Sequence, residues 1–401
     1  LAALAAGGCS SSYKISSDHL LKPSPWPFYH GSSSSTGERV AGDFAGRLDV
    51  VWEHEIRGKL SGPMTLLNGF VAVPSSKNRI WLFNVETGRK MGKIKSKGPA
   101  LTGLVLSDTL ALFAVAPGAS RLVCLNLRQG NQLWQRRIKD CSRGSILVGD
   151  KVLIGSVTGR LTAYRVLDGG EGWSFYGDED EQFTAPAAAG HELVFQPGSK
   201  GTLYALSAED GTERFRVKVK GPMYGGVAVG DLVVAADVLG NVYGIDPADG
   251  TIRWTTAVAG PVWTTPSISD GVAYIGHSGG DLEALRLEDG KVLWRFLADE
   301  VIVASPVVVG RHVVVGTLGG NLYVLDRTDG EMLSTRKLKG GIQYTPITDG
   351  DRVYVSTNKG YVICLGDSHT TGIGAAGDLE GDDARPEGFA RRGHWGSGSL
   401  R

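Results

Sequence analysis

The chain of 401 residues is poor in cysteine, with only Cys9, Cys124, Cys141 and Cys364, no CxxC pair and no spacing typical of a zinc site. A disulfide framework is therefore excluded as the source of stability, and Cys124 and Cys141 are expected to stay reduced. The eight histidines are scattered, without an HExxH pattern or a paired metal spacing. Neither sign of charge dominates, because Lys plus Arg and Asp plus Glu number 42 each. Nothing in that balance draws the protein to nucleic acid or anionic lipid, and no nucleic-acid partner is expected. Helical periodicity is hard to find, and no run of about 20 apolar residues calls for a membrane-spanning helix.

What the chain has is glycine, 58 residues of it, and short runs of Val, Leu, Thr and Tyr within a 42% apolar composition. Many brief strands joined by tight turns suit such a mixture. One pattern recurs. Its clearest copies run from Leu203 to Phe215, from Val242 to Trp254 and from Leu282 to Trp294, each with Asp-Gly at its centre and an aromatic four residues after the glycine. The turn glycines Gly88, Gly130, Gly169, Gly211, Gly250, Gly290 and Gly330 follow one another at intervals of 39 to 42 residues. Alternation of apolar and polar residues on both sides of the turn has the two-residue period of half-buried strands. Asp-Gly supplies the positive-φ position that a tight hairpin turn needs. Two more short strands precede each hairpin, as in Thr265–Gly276 and Ser305–Gly316.

Four strands in 40 residues make one blade of a β-propeller, and a blade cannot bury both faces unless its neighbours stack on it. The last copy, Gly360–Leu365, stops before its turn and its aromatic strand. The missing strand is found at Leu48–Ile56, with Trp52 at the aromatic position. The expectation is an all-β, eight-bladed propeller of four-stranded antiparallel blades over residues 48–367, closed by N- and C-terminal strands sharing the last blade. The aromatics Trp52, Trp134, Trp173, Phe215, Trp254 and Trp294 are read as wedges between adjacent blades, with carbohydrate stacking or cofactor contact as the alternative. Gly92 and Ser334 are exceptions at that position.

The N-terminus, Leu1 to Ser12, runs from an apolar segment through Ala6, Gly7 and Gly8 to Cys9 and resembles a bacterial lipobox. Residues 1–8 are read as a signal-peptide remnant, Cys9 as the lipidated residue, and 9–47 as a flexible lipid-anchored tether rich in Ser, Gly and Pro. Ser10 lacks the acidic character of an inner-membrane retention signal, which points to the outer membrane. The island Pro25–Gly31 is read as an apolar plug or, alternatively, a partner-binding peptide. Residues 368–401 are too poor in apolar side chains to fold alone and are expected to be disordered.

The repeat, its Asp-Gly-x-x-x-Trp ending and the Trp26-Pro27 opener resemble the PQQ-like repeat family from Leu48 to about Asp367. One branch of that family holds quinoprotein alcohol dehydrogenases; another holds cofactor-free propellers such as the BamB-type outer-membrane assembly lipoproteins. The dehydrogenase branch implies adjacent cysteines, a calcium set and an aspartate base, and no two cysteines here are neighbours. Asp237 and Asp246 are the residues that could be imagined as calcium ligand or base. The bland reading has Asp246 bonding its own turn and Asp237 facing solvent. The acidic runs Asp178–Glu181 and Asp378–Asp383 are read as solvated, with a calcium site or docking patch as the alternative for the first. The resemblance implies a non-catalytic, periplasm-facing lipoprotein scaffold. It would have no cofactor and no metal, and its partner would be a membrane complex such as an outer-membrane β-barrel assembly protein. An accessory subunit of another membrane complex, for example in electron transfer, is the alternative, and a PQQ-dependent dehydrogenase is a further one.

Overall fold

In the computed structural model the described residues are 11–13, 30–39, 42, 44–56, 58–67, 69–107, 109–115 and 120–367. The expectations for Cys9, for residues 1–8, for Pro25–Tyr29 and for the tail 368–401 lie outside them.

Blade 6 illustrates the unit. Its strands Ser267–Ser269, Val272–Gly276, Asp281–Arg286 and Val292–Leu297 pair antiparallel in that order, from the innermost to the outermost. The inner three are buried almost throughout, and the outermost exposes all but one or two of its side chains. The alternation expected on both sides of the turn thus shows as alternating burial only in the last strand, since the strand before the turn is buried almost throughout. Eight such sheets form the propeller, and the innermost strands of neighbouring blades touch along the axis. The eighth sheet is composite. Strand Asp49–Glu55 pairs antiparallel with Tyr361–Gly366 as its outermost member, so the two ends of the repeat array close one blade.

One contact recurs from blade to blade. The indole N–H of Trp52, Trp134, Trp173, Trp254 and Trp294 donates to Val85 O, Val166 O, Ala208 O, Leu287 O and Arg327 O of the following blade, at 2.7–3.2 Å. Each acceptor lies three residues before that blade's turn glycine. The ring then rests on the glycine itself. A Cβ at Gly88, Gly169, Gly211, Gly290 or Gly330 would stand under 3 Å from the preceding tryptophan, and one at Gly250 equally close to Phe215. The same glycines have φ between +65° and +79°. They are thus needed twice, for the turn and for the neighbour's ring. In the turns of blades 4 to 7 the preceding Asp210, Asp249, Asp289 or Asp329 accepts the N–H two residues on.

Cross-strand register completes the fit. The residues opposite the rings are small: Cys124, Ala163, Ala205, Gly244, Ala284 and Cys364 face Trp134, Trp173, Phe215, Trp254, Trp294 and Trp52. Where the ring is missing the order reverses, and Leu82 faces Gly92 while Val324 faces Ser334. Ser334 also meets a blade with no hairpin turn to dock on. The incoming chain takes that place, with Ser334 Oγ donating to Gly46 O at 2.6 Å and Arg336 Nη1 to Leu48 O at 2.8 Å. Cys124 and Cys364 therefore serve as small apolar residues beneath a ring. They and Cys141 are unpaired and buried, and burial pushes the Cys124 thiol up to about 12 and Cys141 to about 11.

Gly271 has φ +72° with open space around its Cβ position, whereas a Cβ at Gly290 (φ +71°) would lie 2.5 Å from Trp254 Cε3. Gly271→Ala is expected to cost about 1 kcal/mol from backbone strain alone. Gly290→Ala should cost about 2 to 4 kcal/mol, because it also dislodges the ring. Urea denaturation of both variants checks the difference, and equal losses would refute the docking role of the glycine.

Candidate interaction face and central channel

The innermost strand of a blade keeps one unpaired backbone edge facing the axis, and buried N–H groups there must find acceptors. In blades 4 to 7 the chain itself supplies them. Ala189 N–H donates to Ser33 O, Val229 N–H to Ser34 O, Ile268 N–H to Thr36 O and Val308 N–H to Gly37 O, at 2.7–2.9 Å. Glu38–Arg39 then pair in parallel with Val308 and Val309. Glu38 Oε1 accepts from Ser269 Oγ at 2.7 Å. His30 enters the same channel almost fully buried, with Nδ1 2.6 Å from Ser35 O and Nε2 3.2 Å from Pro306 O. Burial lowers its pKa to about 4, against the raising effect of those two carbonyls.

These residues were expected to be part of a flexible tether, and that expectation is corrected for 30–39 and 44–47. Residues 30–39 form a strap along four inner strands, and Phe44 is buried edge-on against His312. Ser11–Tyr13 add a further strand to the outer edge of blade 1. The physical reason is that open backbone edges recruit an extended segment whatever its side chains, so a polar composition does not betray it.

Around the face where successive blades connect, a carboxylate gathers the second turn of several blades, and in blades 4 and 5 it is buried. In blade 5 Asp237 is fully buried and accepts hydrogen bonds from Gly221 N, Leu239 N, Asn241 N, Asn241 Nδ2 and Tyr243 OH. In blade 4 Glu181, 2% exposed, accepts from Lys200 N, Ser199 Oγ and Tyr204 OH. At blade 7 the carboxylate is the exposed Asp299 of the incoming loop, which accepts from Thr317 Oγ1, Asn321 Nδ2 and Tyr323 OH. Burial raises the Tyr204 phenol to about 12, and burial raises Tyr243 as well, so both remain donors to their carboxylates. Asp237 does not face solvent, and Glu181 is no solvated loop residue; both expectations are corrected. The rest of that acidic run is exposed, although Asp178 pairs with Arg216, whose hydrogen bond holds its carboxyl below the usual range. Asp246 accepts from Ala248 N in its own turn and pairs with Arg253. It lies at the far end of strand Asn241–Ile245 from Asp237, so the two do not form one site.

The same face carries one feature missed in the sequence. Tyr224 and Trp263 stack in parallel, centroids 5.4 Å apart and planes at 8°, while staying 39% and 46% exposed. They sit 39 residues apart, at one offset in consecutive repeats, which is the signal that could have found them.

A family model described as "Outer membrane protein assembly factor BamB" matches residues 45–153, 157–237 and 200–383. The chain is similar to BamB of Bordetella pertussis, 28% identical over 151 residues, which are 33% of this chain and 38% of that protein. It is similar to BamB of Burkholderia pseudomallei at 24% identity over 226 residues, 43% of this chain and 59% of the relative. The chain thus spans less than two thirds of these relatives' length. Among solved structures, BamB from Moraxella catarrhalis superposes with a TM-score of 0.68 at 18% identity, over 80% of this chain and all of that one. The quinohemoprotein alcohol dehydrogenase ADHIIG from Pseudomonas putida HK5 gives 0.75 at 12% identity, over 92% and 83% of the two chains. At such identities these two likenesses establish the fold.

Because folding lowers the pKa of His30, the unfolded chain takes up a proton between pH 6.5 and 4 that the folded chain refuses. Stability is therefore full above pH 6.5 and falls by up to about 3 kcal/mol as pH drops towards 4. Urea midpoints at pH 7 and pH 4.5 should show a smaller acid loss in His30→Gln than in the parent chain; an identical acid loss would contradict this.

Proposed function

This chain belongs to the PQQ-type repeat family of the outer membrane protein assembly factor BamB, and from that premise we propose that it is a non-catalytic scaffold of the bacterial envelope. Its loop-rich faces bind a partner, and a lipid on Cys9 holds it at the periplasmic side of the outer membrane. The observation that carries the non-catalytic reading is the strap. The axis-facing N–H groups of blades 4 to 7 are bound to residues 33–37, in the channel where a quinone would have to be held. The residues present do not fit a quinone and calcium. Asp237 already accepts from five donor atoms of its own turn, the next strand and the incoming loop, and no two cysteines are adjacent. A rigid frame presenting loops favours binding instead. The exposed Tyr224–Trp263 pair is the natural contact, since partly exposed aromatics dominate many interfaces. The partner in this reading is an outer-membrane β-barrel assembly protein.

Affinity capture with the full chain from solubilised membranes should return such a protein, and Trp263→Ala should weaken its retention at least about tenfold. Repeated capture of none, or of an electron-transfer complex in its place, would overturn the scaffold assignment. Addition of PQQ and calcium should give neither bound-quinone absorbance nor dye-linked alcohol oxidation; either signal would overturn the non-catalytic reading.

A further inference from the structure

Blade 6 breaks the carboxylate clamp of its neighbours. Blade 5 has Asp237, Asn241 and Tyr243 at the second turn and in the strand after it, and blade 7 has Thr317, Asn321 and Tyr323. At the same places blade 6 has His277, Asp281 and Glu283. Both donors of the neighbouring clamps have become carboxylates, and the position of blade 5's carboxylate and blade 7's threonine has become an imidazole. Strand register places Glu283 between Ile275 and Arg295, within the sheet. His277 and Glu283 are fully buried and Asp281 is 9% exposed.

The three side chains converge. His277 Nε2 lies 3.4 Å from Glu283 Oε1 and 3.8 Å from Asp281 Oδ2, and one ligand atom from each residue falls within 4.8 Å of the others. Neither Glu283 oxygen nor His277 Nε2 has a hydrogen-bond partner. Glu283 Oε1 does form an ion pair with Arg295 Nε at 3.1 Å, from a side chain that is half exposed. Burying a carboxylate with an oxygen left unsatisfied is costly, and a cation offsets that cost. Donor atoms about 2.1 Å from a tetrahedral ion stand about 3.4 Å apart, close to the 3.4 Å and 3.8 Å from His277 Nε2 to the two carboxylates. One imidazole and two carboxylates form a ligand set suited to zinc.

We propose that His277, Asp281 and Glu283 bind one zinc-class divalent ion on the face where the blades connect, with the fourth position left to water. The site is independent of the partner-binding reading. Gly279 N–H donates to His277 Nδ1 at 3.1 Å, which leaves the proton of the neutral ring on Nε2. Zinc at Nε2 displaces that proton, and Nδ1 takes one up, so Gly279 N–H turns away from the ring. The Gly279–Gly280 pair, with Gly280 at φ +94°, gives the turn this freedom. Arg295 withdraws towards solvent.

Titration calorimetry of the full chain with zinc chloride should show one ion bound, with affinity falling at least about 100-fold in Glu283→Gln and in His277→Ala. The triple variant His277→Asp, Asp281→Asn, Glu283→Tyr copies the blade 5 arrangement; it should fold and lose the site even if a single variant does not fold. The Gly279 amide resonance should move on zinc addition to the parent chain and stay fixed in the triple variant. Absence of zinc binding by the parent chain, undiminished affinity in the folded triple variant, or preference for calcium at these residues would each overturn the proposal.

Discussion

The propeller depends on one contact made repeatedly around the axis, an aromatic ring of one blade lying on the turn glycine of the next. A tryptophan buries roughly 150 to 250 Å² in such a seat. Its indole N–H adds a hydrogen bond worth about 1 kcal/mol net. The contact ties together features that look separate in the sequence. Glycine is required by the turn's positive φ and by the ring above it, and a small residue is required across the strand beneath the ring. Cys124 and Cys364 belong to this size rule, which explains two of the four cysteines without redox chemistry.

The N-terminal part of the chain is used twice. Asp49–Glu55 complete the outer edge of blade 8 and deliver Trp52 to Gly88, while residues 30–39 line the inner strands of blades 4 to 7. The first use leaves no blade without its outer strand, and the second satisfies axis-facing backbone groups that would otherwise await a ligand. Together they leave the loops of the two faces as the surface open to a partner. The face where blades connect holds the stacked Tyr224–Trp263 pair and the departure of blade 6 from its neighbours.

Architecture was legible because it is periodic. Gly88 to Gly330 gave the blade count, and Trp52, standing alone ahead of the first turn, gave the closure. Gly92 and Ser334 were legible only as exceptions, since their reason lies across the strand, in the bulk of Leu82 and Val324. The strap was illegible because backbone recruits it, and Ser33 and Ser34 in it read as linker. The burial of Asp237 and Glu181 is not legible in the sequence, because their donors include other loops and a tyrosine on the next strand. His277, Asp281 and Glu283 converge only through the turn and register of blade 6, and their spacing is neither HExxH nor a CxxC pair.

The most direct measurement is equilibrium unfolding of the chain with Leu48–Ile56 deleted, followed by backbone and tryptophan signals together. The expected result is a lower midpoint and non-coincident transitions, because blade 8 loses its outer strand and Gly88 loses Trp52. A single transition at the parent midpoint would contradict closure by shared strands and the interblade contact on which it rests.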